Sequence, residues 1–310
     1  MLPKLIGYDD VRASIEWSGA VEALRAGHLL PKAETGDIFL GPASGTLLTR
    51  AAYIEGMGYG VKAATIRDGN IVYGIPTIHA TMIVFEPDFA RPKAVIDGRL
   101  VTEIKTAADS VLGASLLARK DSRRLLIVGA GTVANNLVHA YSKQFPDLER
   151  IAVWARRPEM AEALVVSIHG VEVPLVAADN LESAMAEADI ISSATMARDP
   201  VLPGDWVMPG THIDLIGAYK ADMREADDTL ISKGSLYVDS RATTIAHIGE
   251  FMIPIASGII SEKDVLADLY DLVPAAMGAR ADEQEITIFK NGGGAHLDLM
   301  IATYISSLID

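Results

Sequence analysis

The sequence predicts an α/β protein, a doubly wound parallel-sheet domain joined to a sheet-rich second domain. Three observations predict it. From Leu125 onward, short apolar runs alternate with helical stretches, the rhythm of strands buried in a parallel sheet. From Thr46 to Leu100 the runs are broken instead by Gly, Pro and Asp, the texture of a mainly antiparallel sheet. The chain has 310 residues, half of them hydrophobic, more than one comfortable core and fewer than three.

The elements follow in order. Val11, Ile15, Ala20, Val21 and Leu24 recur at roughly helical spacing, so one or two amphipathic helices span Tyr8 to about Leu30. Leu47-Leu48, Ala51 to Ile54, Gly60 to Ile66, Ile78 to Phe85 and Ala94 to Ile96 supply the first sheet. Val101 to Lys120 reads as a long connecting helix, with Ala107, Ala108, Val111, Leu112, Ser115 and Leu116 on one side. Beyond it, strands at Leu125 to Val128, Arg150 to Trp154 and Val171 to Val173 are separated by helices at Val133 to Lys143 and Pro158 to Ile168. Ala188 to Ser192, His212 to Ile216 and Leu236 to Asp239 continue the strands. The tail from Leu297 to Ile309 is helical and is expected to pack back on the first domain. The predicted domains are therefore 1–118 with 296–310, for substrate binding and dimerisation, and 119–295.

Composition narrows the function. Lys and Arg number 27 against 41 Asp and Glu, a net charge of -14, which repels a nucleic-acid backbone. No cysteine is present, so disulfides, thiolate nucleophiles and zinc knuckles are excluded and redox chemistry needs a borrowed cofactor. No metal site is expected. No apolar run reaches signal-peptide or membrane-spanning length, and a cytoplasmic protein without membrane partners is expected.

The strand Leu125-Leu126-Ile127-Val128 runs into Gly129-Ala130-Gly131-Thr132-Val133-Ala134 and then a helix. That is the context a G-x-G-x-x-G/A dinucleotide fingerprint requires, and it makes the second domain Rossmann-type. Gly129 permits the tight turn and Gly131 a close approach of the pyrophosphate. The helix N-terminus, with the amides of Thr132 and Val133, offers donors and a positive dipole to the phosphates. The next strand ends in Ala155-Arg156-Arg157-Pro158. No acidic residue stands there for a ribose hydroxyl, whereas two guanidiniums suit a 2′-phosphate, so NADP(H) is preferred and NAD(H) remains possible. A solvated Arg pair at a helix start is the alternative.

Residues at later strand ends normally face the cofactor crevice. Ser193 and Thr195 are read as hydrogen-bonding the nicotinamide half, and Gly217 as admitting the ring. Capping and a plain turn are the competing readings.

At this point the chain resembles the ornithine cyclodeaminase/mu-crystallin family. The resemblance rests on Lys105-Thr106-Ala107-Ala108-Asp109-Ser110, Leu117-Ala118-Arg119, Gly129-Ala130-Gly131, Gly210-Thr211-His212-Ile213, Arg224-Glu225, Tyr237-Val238-Asp239-Ser240 and Glu285-Ile286-Thr287-Ile288-Phe289-Lys290. It implies a homodimer built through the first domain and nicotinamide-dependent chemistry at the α-carbon of an amino or imino acid. It also implies cationic residues that hold the substrate carboxylate. Gly60-Val61-Lys62 is similar to the family's Gly-Val-Lys, and Thr77 stands at a substrate-contacting threonine. Lys105 replaces the arginine of an Arg-Thr-Ala-Ala motif, and Lys32 loosely matches an early arginine. In the cyclodeaminases an Asp follows a Gly-Gly where this chain has Tyr219 after Gly217-Ala218, which argues against ornithine cyclisation. Tyr219 either donates a hydrogen bond to substrate or walls the pocket.

The physical need is that a carboxylate entering an apolar crevice is costly without a cationic partner. Lys62 and Lys105 are the candidates, and Lys62 is the better one to relay a proton to an imine nitrogen. Surface salt bridges are the bland alternative. Arg50 and His79 share the region and are left aside. Asp298 is read first as an acid favoured by its helix dipole, with a Lys or water partner as the alternative. The expected activity is NAD(P)H-dependent reduction of a cyclic or linear 2-imino acid, such as Δ1-pyrroline-2-carboxylate or Δ1-piperideine-2-carboxylate, to an L-amino acid. The alternatives are an ornithine or lysine cyclodeaminase, an alanine-type dehydrogenase, a non-enzymatic crystallin-like binding protein, and a scaffold without chemistry.

Overall fold

The computed structural model describes residues 2–42, 44–275 and 280–309. The chain forms two compact units, 1–105 with 294–310, and 106–293.

The first unit is built on a six-stranded sheet of β1 (Lys4–Ile6), β2 (Glu34–Leu40), β3 (Thr46–Ile54), β4 (Gly58–Ile66), β5 (Ile78–Phe85) and β6 (Pro92–Asp97). Their order is β1-β6-β5-β4-β3-β2. β2 to β6 pair antiparallel, and β1 joins β6 in parallel. Alternation along the strands buries one face, with Ala52, Ile54, Ala64, Met82, Val84, Ala94 and Ile96 pointing inward. The helices Trp17–His28 and Ala295–Ser307 pack with this unit. Ala20, Val21 and Leu24 of the first and Leu299, Ile301 and Ile305 of the second are buried. β2 was not anticipated: every residue of Glu-Thr-Gly-Asp-Ile-Phe-Leu is exposed, so no inward alternation marks it as a strand.

The second unit is an eight-stranded, wholly parallel sheet. Its strands are β7 (Arg124–Val128), β8 (Arg150–Trp154), β9 (Leu175–Ala177), β10 (Ile190–Ser193), β11 (His212–Leu215), β12 (Ser235–Val238), β13 (Val265–Ala267) and β14 (Thr287–Lys290). The order β13-β12-β14-β11-β10-β7-β8-β9 runs outward from β7 in one direction through β8 and β9 and in the other through β10 and β11. The β7/β10 junction is therefore the topological switch point, where doubly wound sheets bind ligands.

Three expectations are corrected. The third strand of this unit is Leu175–Ala177, not Val171 to Val173. Pro174 lacks an amide to donate and instead accepts from Ile151 N at 2.9 Å, so the strand starts after it. The long helix spans Gly98–Leu117, because Asp97 Oδ1 takes the amides of Arg99 at 2.8 Å and Leu100 at 3.3 Å and starts it early. The division falls inside this helix at 105/106, not at 118/119, and returns at 293/294 instead of 295/296. The reason lies in the packing of the helix's later part: Gly113 rests on Phe289 of β14, and Asn291 Nδ2 donates to Thr106 O at 3.0 Å and Ser110 Oγ at 2.9 Å. Among the described residues no helix is long and apolar enough to cross a membrane.

Candidate functional site

At the switch point, β7 delivers the chain into Gly129 at φ 125°. A Cβ there would meet Ala194 O at 2.7 Å, so backbone geometry and crowding both require glycine. Gly131 differs. It is the extended N-cap of the helix Thr132–Gln144, and a Cβ added to it would meet no heavy atom within 4 Å. What Gly131 supplies is open space above the main chain. The helix has no side-chain cap at this end, so its first amides, those of Thr132 and Val133 included, and its positive dipole end suit an anion.

A cavity of about 390 Å³ lies here, lined by Gly129, Gly131, Trp154, Arg156, Arg157 and Thr195 among others. It is in the size range of ligand pockets. No Asp or Glu lines it. Arg156 and Arg157 are exposed and have no ion pair among the described residues. The residues present therefore fit a dinucleotide: an uncapped helix start with open space for the pyrophosphate, an apolar wall, and two free guanidiniums past β8.

Ser193 and Thr195 do different work from that expected. Ser193 is fully buried and donates to Glu225 Oε1 at 2.6 Å. Thr195 lines the cavity, yet its amide and its hydroxyl both donate to the same oxygen, at 2.8 and 2.7 Å. The hydroxyl hydrogens of both residues are thus directed at Glu225. Gly217 makes room for protein: a Cβ there would lie 1.8 Å from Thr195 O. Its amide donates to Glu225 Oε2 at 2.6 Å.

Other buried carboxyls hold the neighbouring strand ends. Glu250 accepts the amides of Glu225 and Ala226; burial pushes its pKa up to about 7, opposed by the Lys290 ammonium and reinforced by Glu225. Asp214, inside β11, accepts from Ser192 Oγ at 2.6 Å and Tyr141 OH at 3.3 Å. Burial raises its pKa to about 7 against those hydrogen bonds. Asp239 Oδ2 takes the amides of Gly292 and Gly293, which shapes the glycine loop before the last helix.

The first unit holds a separate cluster of cations. A hairpin turning at Gly56 pairs Arg50 of β3 with Lys62 of β4. Lys62 is 8% exposed and its Nζ donates to Asp298 Oδ1 at 2.7 Å and Thr102 Oγ1 at 3.3 Å. Burial lowers its pKa; Asp298 opposes this, and the like charges of Lys105 and Arg50 add to it. Asp298 Oδ2 is buried and has no hydrogen-bond partner among the described residues. Lys105 is 7% exposed and has neither an ion pair nor a hydrogen bond among them. His296 is pulled well below its ordinary pKa by burial, and then by His28, Lys105, Arg50 and Lys32, and is neutral. Four cations thus act on one buried region whose internal carboxylate is Asp298; Arg50 also pairs with Asp37 at 2.8 Å. Such a cluster suits an anion chemically.

Sequence reasoning named Lys62 and Lys105 but set Arg50 aside and missed His296. The hairpin contained the signal for Arg50, which stands six residues before Gly56 as Lys62 stands six after. Thr77 is not brought to this cluster. Lys62 pairs with Met82, so Thr77 lies five residues further along, roughly 17 Å at about 3.4 Å per residue. Tyr219, in the second unit, is 51% exposed with Lys220 Nζ 5.3 Å from its ring centroid.

A model of the ornithine cyclodeaminase/mu-crystallin family matches residues 28–309. The chain belongs to this family. Among its relatives is the Delta(1)-pyrroline-2-carboxylate reductase of Paracoccus denitrificans, 58% identical over 99% of this chain and 97% of that one. Family members of known structure share the fold. The Thermococcus litoralis Delta(1)-pyrroline-2-carboxylate reductase, in complex with NADH and L-proline, superposes with a TM-score of 0.90 at 27% identity, covering 98% of this chain and 97% of that one. An archaeal alanine dehydrogenase dimer with bound NAD gives 0.90 at 27% identity over 99% and 96%.

Proposed function

We propose that this member of the family is a reductase that uses a nicotinamide dinucleotide to convert a 2-imino acid to the L-amino acid, with Δ1-pyrroline-2-carboxylate or Δ1-piperideine-2-carboxylate as substrate. The observation that carries the reading is Lys105, a buried lysine without a carboxylate partner among the described residues, beside the ion-paired Lys62. A buried cation left unpaired is costly unless an anion completes it, and the carboxylate of an imino acid does so. The names of the relatives, two of them pyrroline-2-carboxylate reductases, point to the same chemistry.

When bound, the reduced nicotinamide supplies a hydride. The chain supplies orientation and charge. Lys105 and Arg50 hold the carboxylate. Lys62, whose pKa burial lowers, holds a proton at the imine nitrogen, and Asp298 keeps that ammonium in place. The balance is one hydride to the imine carbon and one proton to the nitrogen, with the C=N bond becoming C–N. Tyr219 in place of a carboxylate sets this chain apart from ring-closing deamination.

For the cofactor, NADP(H) preference with NAD(H) acceptance is part of the proposal. Arg156 and Arg157, without an ion pair among the described residues and on a cavity that no described acid lines, favour a 2′-phosphate; the NADH and NAD of the solved relatives support acceptance of the unphosphorylated form. A homodimer is also proposed. Ile38, Phe39, Leu40, Ile71, Val72 and Tyr73 of the first unit are all more than half exposed, more apolar surface than a monomer comfortably shows to water. A spectrophotometric assay with a panel of cyclic and linear 2-imino acids tests the activity. Loss of reduced-nicotinamide absorbance with a cyclic member is expected; no loss with any member overturns it.

A further inference from the structure

We propose that Glu225 is a positioning residue that clamps the nicotinamide side of the dinucleotide site, an inference that rests on the dinucleotide reading above. Its side chain is fully buried and touches no open part of the cavity. Every hydrogen bond it accepts comes from the ends of β10 and β11: Ser193 Oγ, Thr195 N and Thr195 Oγ1 on Oε1, and Gly217 N on Oε2. One carboxylate thus ties together the loops that follow the last ladder bond between these strands, Ile216 N to Ser193 O at 2.8 Å. The contact it enforces is close, since Gly217 Cα packs directly on the Thr195 peptide. Thr195 is followed by Met196 and Ala197, and all three line the cavity.

The clamp is itself fixed from behind. The Glu225 carbonyl accepts the amides of Val201 and Leu202 at 2.8 and 2.9 Å, and its amide donates to Glu250 Oε2 at 2.9 Å. Strand order assigns the side of the site it shapes. Arg156 and Arg157 follow β8 on one flank of β7, whereas β10 and β11 lie on the other. In a doubly wound sheet the two halves of a dinucleotide lie on opposite sides of the switch point. Glu225 therefore acts on the nicotinamide half and leaves the adenosine half alone.

Chemistry makes the clamp specific to a carboxylate. Four donors converge on it and none accepts. A glutamine at this place would turn an NH₂ toward Gly217 N–H or toward the three donors of Oε1, so one loop would lose its anchor.

The test compares wild type, Glu225→Gln and Thr195→Val, reading dissociation constants for NADPH, NADH and ADP-ribose by calorimetry and Tm by thermal unfolding. For Glu225→Gln the dissociation constant of the tighter dinucleotide is expected to rise about tenfold while that for ADP-ribose stays within about twofold. For Thr195→Val, which removes one donor and keeps the shape, a rise of about threefold at unchanged Tm is expected. With a C4-deuterated reduced cofactor, the primary isotope effect on kcat is expected to increase in both variants, because a displaced ring slows hydride transfer and not product release. Equal losses for dinucleotide and ADP-ribose, or no loss for either, overturn the clamp. Should Glu225→Gln not fold, Thr195→Val alone decides by the same comparison. The binding arms use no imino acid. A wild type that binds dinucleotide but reduces no imine overturns the proposed reaction and leaves the clamp standing; a wild type that binds no dinucleotide overturns both.

Discussion

Lys62 and Asp298 form a buried ion pair, Nζ to Oδ1 at 2.7 Å, between residues 236 positions apart in the chain. The pair joins the middle of β4 to the first turn of the last helix, whereas Lys105 is buried without an ion-pair or hydrogen-bond partner among the described residues. The two lysines, alike in the sequence, therefore differ in what their removal does.

Lys62→Met leaves Asp298 buried and unpaired, which costs about 3–5 kcal/mol of stability. It also removes the proton holder, with kcat down about 10²–10⁴-fold and dinucleotide affinity unchanged. Denaturant unfolding and steady-state kinetics check both. The double variant Lys62→Met, Asp298→Leu recovers most of the stability and none of the activity.

Lys105→Met goes the other way. An unpartnered buried charge is replaced by an apolar chain of similar length, so stability is unchanged or higher. The substrate carboxylate loses its anchor, and KM for the imino acid rises about tenfold to a hundredfold, as for loss of a charge-assisted contact. A stability loss without a KM effect would contradict the role assigned to it.

The two fingerprint glycines separate fold from ligand. Gly129→Ala places a methyl group at a φ of 125° and against Ala194 O, a loss of about 1–3 kcal/mol. Gly131→Ala meets no protein atom, so stability changes by about 0.5 kcal/mol or less. Its methyl group takes the space needed by the pyrophosphate, and the dinucleotide dissociation constant rises about tenfold or more. Calorimetry and thermal unfolding of both variants read the contrast.

Asp214 has a folded pKa raised by burial to about 7 from 3.8. Its contribution to stability is complete below pH 3.8 and is lost as pH climbs to about 7, because ionising it is harder in the folded chain than in the unfolded one. Relative to Asp214→Asn, wild type therefore loses stability between about pH 4 and 7 and holds a constant difference above that. Urea unfolding of both proteins across this range checks the sign.

Much of this was legible in the sequence where a local pattern reports a local requirement. The fingerprint Gly129-Ala130-Gly131 sits between a strand and a helix, and the structure places it so. Lys62 and Lys105 were legible through the family resemblance of their local motifs, joined to the need of a carboxylate for a cation. What was not legible depends on long-range convergence. Glu225 reads as an ordinary acid beside Arg224, and only the fold brings Ser193, Thr195 and Gly217 around its carboxylate. Asp298 sits where a helix dipole accounts for it, and its partner is on a distant strand. β14, central between β11 and β12, follows a polar segment and was seen only as part of a family motif. β2 was missed because its side chains are exposed on both faces.

The central proposal is that a nicotinamide hydride reaches the α-carbon of a 2-imino acid whose carboxylate Lys105 and Arg50 hold, with Lys62 holding the proton at its nitrogen. Turnover of Δ1-pyrroline-2-carboxylate with reduced cofactor carrying deuterium at both C4 positions, followed by mass spectrometry of the product, tests it most directly. The account predicts L-proline with deuterium at Cα from wild type, and product formation at saturating cofactor that collapses in Lys62→Met. Proline without the label, or no proline while the cofactor is demonstrably bound, would contradict it.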